Sequence, residues 1–123
     1  RSGGDAAAPE ALASSLQVEA SAEGARLVLR VTNVSGAPLA LVFPTGQTYD
    51  FAVREENREL WRWSAGRGFT QAVREETLAP GETRTWAETW SAPAALRGRA
   101  LTAVARLASS THPVERTSPF ALP

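Results

Sequence analysis

The chain has 123 residues, 43% of them hydrophobic, with 13 basic and 13 acidic residues that cancel, and no cysteine. This is enough apolar material for one domain with a core and too little length for two of ordinary size. Zero net charge scattered along the sequence excludes the electrostatic footprint of a nucleic-acid binder, and the missing cysteines exclude disulfides, thiol catalysis and thiolate metal sites.

In chain order, residues 1–14 read RSGGDAAAPEALAS, small and polar with Gly, Pro and Ala and no alternation. That composition predicts a flexible linker or tail, with a single domain over 15–123. The sequence contains no methionine, which points to an N-terminal piece removed by processing, and a signal peptide is one candidate. From Leu16 onward the apolar period is two: Leu16/Val18/Ala20, Leu27/Leu29/Val31, Tyr49/Phe51/Val53 and Leu101/Ala103/Ala105/Leu107 each turn one face inward. Tight-turn residues separate these stretches at Glu23-Gly24, Ser35-Gly36-Ala37-Pro38, Pro44-Thr45-Gly46, Glu56-Asn57 and Ala79-Pro80-Gly81-Glu82. The pattern predicts strands near 15–22, 25–34, 38–43, 48–55, 58–63, 70–78, 83–91, 99–108 and 116–122. Such spacing is that of an all-β antiparallel sandwich or small barrel. APAALRGR, residues 92–99, could form one helical turn between strands.

The tryptophans divide by strand parity. Trp61 and Trp63 share a face, as do Trp86 and Trp90, and core packing between two sheets is the reading that fits this architecture, against an exposed platform for a sugar or another partner. Strict alternation also puts Glu88 between Trp86 and Trp90, where an unpaired carboxylate is costly. A bulge, a salt bridge to an arginine such as Arg62, or a partly exposed Trp/Arg face would each relieve it. Gln47, Asp50 and Gln71 are expected to satisfy loop backbone groups.

Chemistry of the catalytic kind is hard to assemble. His112 is the only histidine and sits in SSTHPVER, so neither a serine triad nor a multi-ligand metal site is suggested. No phosphate-binding glycine pattern occurs, and the pairs Glu55-Glu56 and Glu75-Glu76 each adjoin an arginine, as solvated strand ends do. The expectation is a protein that is not an enzyme, with no catalytic residue, metal or cofactor, and a monomer. The longest apolar run, Leu39–Phe43, is far short of the roughly 20 residues of a membrane helix, so membrane insertion is not expected either.

One block carries more than a fold signal. FPTGQTYDF at residues 43–51, WRWS at 61–64 and Phe69-x-Gln71 together resemble the core of the BsuPI-type intracellular proteinase inhibitors, and Leu78-x-Pro80-Gly81-Glu82, Trp86 to Trp90 and Leu29-x-Val31-x-Asn33-x-Ser35 extend the likeness. The resemblance implies an immunoglobulin-like β-sandwich of about seven to nine strands and inhibition of a subtilisin-like serine protease. An inhibitor of that sort needs a preorganised loop, and the candidates are Pro44–Gln47, Ser64–Gly68 and Ala108–Arg116. The partner-binding residues expected from the first two are Thr45, Gly46, Gln47, Ala65, Gly66 and Arg67, with Arg67 the most obvious protruding side chain. The alternative is a non-inhibitory immunoglobulin-like interaction module of the cell envelope. The family name points inside the cell, whereas the linker-like start leans to export.

Overall fold

Alternation gives each stretch one apolar face to bury, and the way those faces meet defines the architecture. The computed structural model describes residues 11–123. Its strands are β1 (Leu12–Ser21), β2 (Gly24–Asn33), β3 (Leu39–Phe43), β4 (Tyr49–Glu55), β5 (Arg58–Arg62), β6 (Arg74–Leu78), β7 (Thr83–Ser91), β8 (Ala100–Leu107) and β9 (Val114–Ala121), with one 3-10 turn at Ala94–Leu96. They form a three-stranded sheet in the order β1-β2-β7, a four-stranded sheet β5-β4-β8-β9, and the pair β3-β6, all antiparallel.

The core lies between the inward faces. Leu27, Leu29 and Val31 of β2 meet Phe51 and Val53 of β4 and Leu101, Ala103, Ala105 and Leu107 of β8, while β3 contributes Leu41 and Phe43 and β6 contributes Leu78. Within each strand these residues are two apart, so the period-two reading holds and the fold class is the expected all-β antiparallel sandwich.

Most strand boundaries fall within two residues of the sequence expectation, and the starts of β1 and β6 differ by more. β1 begins at Leu12, because Leu12, Ala13 and Ser14 pair with Asn33, Thr32 and Val31. Ala and Ser have little strand preference of their own, and pairing with β2 supplies what local sequence does not. Residues 1–10 of the expected tail lie outside the described residues. β6 begins at Arg74 rather than near residue 70. Its last partner is Phe43, and the next position of β3's chain is Pro44, which has no N–H to continue a ladder.

Of the three devices expected to relieve Glu88, the bulge and the salt bridge to Arg62 are absent, while the face is partly exposed, with Arg84, Trp86 and Glu88 half-buried. The β2-β7 register is unbroken, with Leu29 opposite Trp86, Leu27 opposite Glu88 and Ala25 opposite Trp90, so there is no bulge. Arg62 is engaged on the other sheet, with Asp50 and Glu59. Instead the Tyr49 hydroxyl of β4 donates to Glu88 at 2.5 Å, a hydrogen bond that crosses the sandwich. Trp90 is buried, and Trp61, Trp63 and Trp86 are half-buried against the core. Trp61 stacks on Trp90, which supports the packing reading of these side chains over the platform.

Candidate functional site

The topology gathers the three candidate loops at one end of the sandwich. β3 ends and β6 begins there, β4 begins where β8 ends, and β8 turns into β9. Three backbone hydrogen bonds tie the loops across this end: Gly46 N–H to Thr70 O, Ala108 N–H to Thr48 O and Ser110 N–H to Val42 O, all at 2.8 Å.

The first loop is built inward. Thr45 Oγ1 accepts the Gln47 amide at 3.0 Å, the Gln47 side-chain amide donates to Tyr49 O at 3.0 Å, and Thr45 O accepts Arg74 Nε at 3.1 Å. Thr45, Gly46 and Gln47 are therefore half-buried, with their polar groups spent on the loop itself. Gly46 is required by proximity: a Cβ there would stand 2.6 Å from Thr70 Oγ1. Gln71 behaves similarly, donating to Phe69 O.

The second loop rests on a buried charge. Asp50 lies on the outer face of β4 and is only 3% exposed. Its Oδ1 accepts the Phe51 and Ser64 amides at 2.9 and 3.1 Å, and its Oδ2 accepts Arg62 Nη1 at 3.0 Å and Ser64 Oγ at 2.5 Å. Arg62 sits opposite Ala52 on β5, the diagonal neighbour of Asp50 on the same face, which is why the pair meets. A buried carboxylate is tolerated when its lone pairs are filled this way, and here it fastens the base of the Ser64–Gly68 loop to the sheet.

Beyond Ser64 the chain makes two successive tight turns, Arg62 O accepting the Ala65 amide and Ser64 O the Arg67 amide, with Gly66 at φ 79°. Ala65, Gly66 and Arg67 are exposed. Arg67 does not protrude as expected: its Nε donates to Trp63 O at 2.8 Å and its guanidinium lies 4.3 Å from the Trp63 ring centroid. Trp63 in turn stacks on Tyr49 and touches Phe69, so an aromatic row runs from Trp86 through Tyr49 and Trp63 to the loop end. Burial foremost, then the hydrogen bond and charge of Glu88, push the Tyr49 phenol up to about 12, against a smaller opposing pull from Arg67.

The third loop is stitched to the edge of β3. Thr111 Oγ1 donates to Ala40 O and accepts the Val42 amide, and Ser110 Oγ donates to Val42 O. Ser109 and His112 are joined through the His112 backbone N–H rather than its ring, so the bond is a loop brace. Among the described residues no cluster of His, Asp and Glu could hold a metal ion.

Sequence reasoning missed one segment of this end. From Arg67 to Val73 the chain runs without a turn or bend, and among the described residues the backbone groups of Gln71, Ala72 and Val73 make no hydrogen bond. The strand expected over 70–78 includes Thr70–Val73 of this stretch, and Pro44 is the sequence signal that its pairing stops.

No curated protein matches the chain. Among solved structures, a Bordetella pertussis protein assigned as ApaA superposes with a TM-score of 0.53 at 16% identity, covering 94% of this chain and 96% of that one. Spo0M, a sporulation control protein from Bacillus subtilis, gives a TM-score of 0.50 at 12% identity over 93% of this chain and 49% of its own. At such identities the likeness concerns the fold alone. The family described as BsuPI, intracellular proteinase inhibitor, matches residues 12–110, from the first strand through the loop after β8. The chain belongs to the BsuPI intracellular proteinase inhibitor family.

Proposed function

We propose that the protein inhibits a subtilisin-like serine protease and presents to it the end of the sandwich that carries Thr45, Gly46 and Gln47 on one loop and Ala65, Gly66 and Arg67 on the other. Membership of a proteinase-inhibitor family supports the class of activity. The observation that carries the choice of this end is the buried Asp50 carboxylate, which fastens Ser64 by both its amide and its hydroxyl. A loop held so in the free protein loses little conformational freedom on binding, which is what an inhibitor needs to bind tightly without being reshaped by the enzyme. A protein–protein contact of standard size would bury roughly 800 Å² on this side, and three adjoining loops are the natural source of it.

The test is titration of the purified protein against a panel of subtilisin-like proteases, beside a variant whose Ser64–Gly68 loop is replaced by Gly and Ser. Inhibition at micromolar concentration or below, weakened in the variant, is the expected result. Absence of inhibition against every enzyme would return the protein to the alternative, a non-inhibitory interaction module. Equal inhibition by wild type and variant would move the contact away from that loop.

A further inference from the structure

We infer that the segment entering the protease cleft is Thr70–Val73, with the Val73 side chain filling an apolar pocket of the enzyme, an inference that rests on the inhibitory reading above. A protease holds its substrate as an extended strand, pairing with the backbone and reading alternate side chains in pockets. The occupant of a cleft must therefore offer low curvature, free backbone N–H and C=O groups, and an exposed side chain to be read.

Within the loop end, Gln71–Val73 meets all three conditions. Arg67 to Val73 has neither turn nor bend, and no residue from Arg67 to Val73 has a positive φ. Gln71, Ala72 and Val73 have unpaired backbone groups among the described residues. Val73 is 70% exposed, and among the described residues only Val34, at 56%, joins it as a large apolar side chain in solvent. The sequence Thr-Gln-Ala-Val carries no charge, whereas an exposed unpaired strand ordinarily carries charges that discourage pairing.

The same segment is fixed at both ends. Thr70 O accepts the Gly46 amide, and the Phe69 ring packs against Trp63 at 5.9 Å. On the other side Arg74 donates to Thr45 O, Thr48 Oγ1 and Glu76, and its guanidinium lies 4.7 Å from the Phe43 ring centroid. Three free residues are thus strung between two anchors, so the segment is presented without being paired. The Ser64–Arg67 loop beside it consists of successive tight turns and cannot lie as a strand in a cleft; its place is to brace Phe69 through Trp63 and to touch the rim of the enzyme.

The experiment compares wild type, Val73→Asp, Val73→Leu and, as a control at the other exposed valine, Val34→Asp, in inhibition assays against a protease that the wild type inhibits, with thermal midpoints measured for each. Val73→Asp should weaken inhibition about 100-fold or more, since it puts an unpaired charge in an apolar pocket. Val73→Leu should retain inhibition, Val34→Asp should stay close to wild type, and all midpoints should agree. In the complex, hydrogen exchange at the Gln71, Ala72 and Val73 amides should slow relative to the free protein. Undiminished inhibition by Val73→Asp, or amides left unprotected in the complex, overturns the assignment of this segment and leaves the inhibitory function intact. If the wild type inhibits no subtilisin-like protease, the functional reading fails and this inference falls with it.

Discussion

Removing the Asp50 carboxylate tests the physical account of the loop end most directly. In Asp50→Ala the Phe51 amide, on a residue 1% exposed, loses its acceptor with no route to water. An orphaned buried donor costs about 1–3 kcal/mol. Ser64 loses an acceptor for both amide and hydroxyl but is half-buried, so partial hydration limits the loss to about 1 kcal/mol. Arg62, with a side chain 33% exposed, keeps Glu59 and turns toward solvent, so the broken ion pair adds about 0–1 kcal/mol. The sum is about 3 kcal/mol, at the lower end of what breaking a buried pair costs. For a domain of this size it lowers the thermal midpoint by about 12 °C. Calorimetric or circular-dichroism melting measures it, and Asp50→Asn, which keeps an acceptor for both amides, should fall about halfway between. Hydrogen exchange at Ser64–Arg67 should quicken in Asp50→Ala even well below the midpoint. A drop under about 4 °C, equivalent to about 1 kcal/mol, would refute the idea that this carboxylate holds the loop.

Tyr49 is the sole tyrosine, so the near-ultraviolet absorbance of phenolate reports it alone, and its titration should centre at about 12 rather than the ordinary 10.0. Because the unfolded chain releases that proton first, stability is intact below pH 10 and declines as pH rises toward 12. Glu88→Gln should lower the midpoint while burial still keeps it above the ordinary value, and an unchanged midpoint would remove Glu88 as a cause. Gly24→Ala would set a Cβ 1.9 Å from Trp90 O at a φ of 153°, so β2 and β7 must part at that end. A loss of about 3–5 kcal/mol in urea denaturation is expected, and a loss under about 1 kcal/mol would contradict the close approach.

Much of the candidate site was legible as loops and little of it as contacts. Thr45-Gly46-Gln47 and Ala65-Gly66-Arg67 stand out in sequence because turn residues interrupt alternation, and turn chemistry is local. That Gly46 abuts Thr70, or that Arg67 folds onto Trp63 instead of projecting, depends on partners that neither turn signal names. Gln47 and Asp50 were legible as groups serving loop backbone, though the reach of Asp50 to Ser64, 14 residues on, was not.

By itself the sequence determined the all-β class, the parity of the inward positions and the family, since period-two alternation and turn residues act over a few neighbours and survive without knowledge of the partner strand. Tertiary structure alone decided where β1 begins, why β6 waits until Arg74, and how Glu88 is satisfied. Each of those outcomes depends on a group far away in the chain: Asn33 opposite Leu12, Pro44 beyond the β3 ladder, Tyr49 across the sandwich. The free segment at Gln71–Val73 belongs with them, because a segment is unpaired only by virtue of what fails to lie beside it.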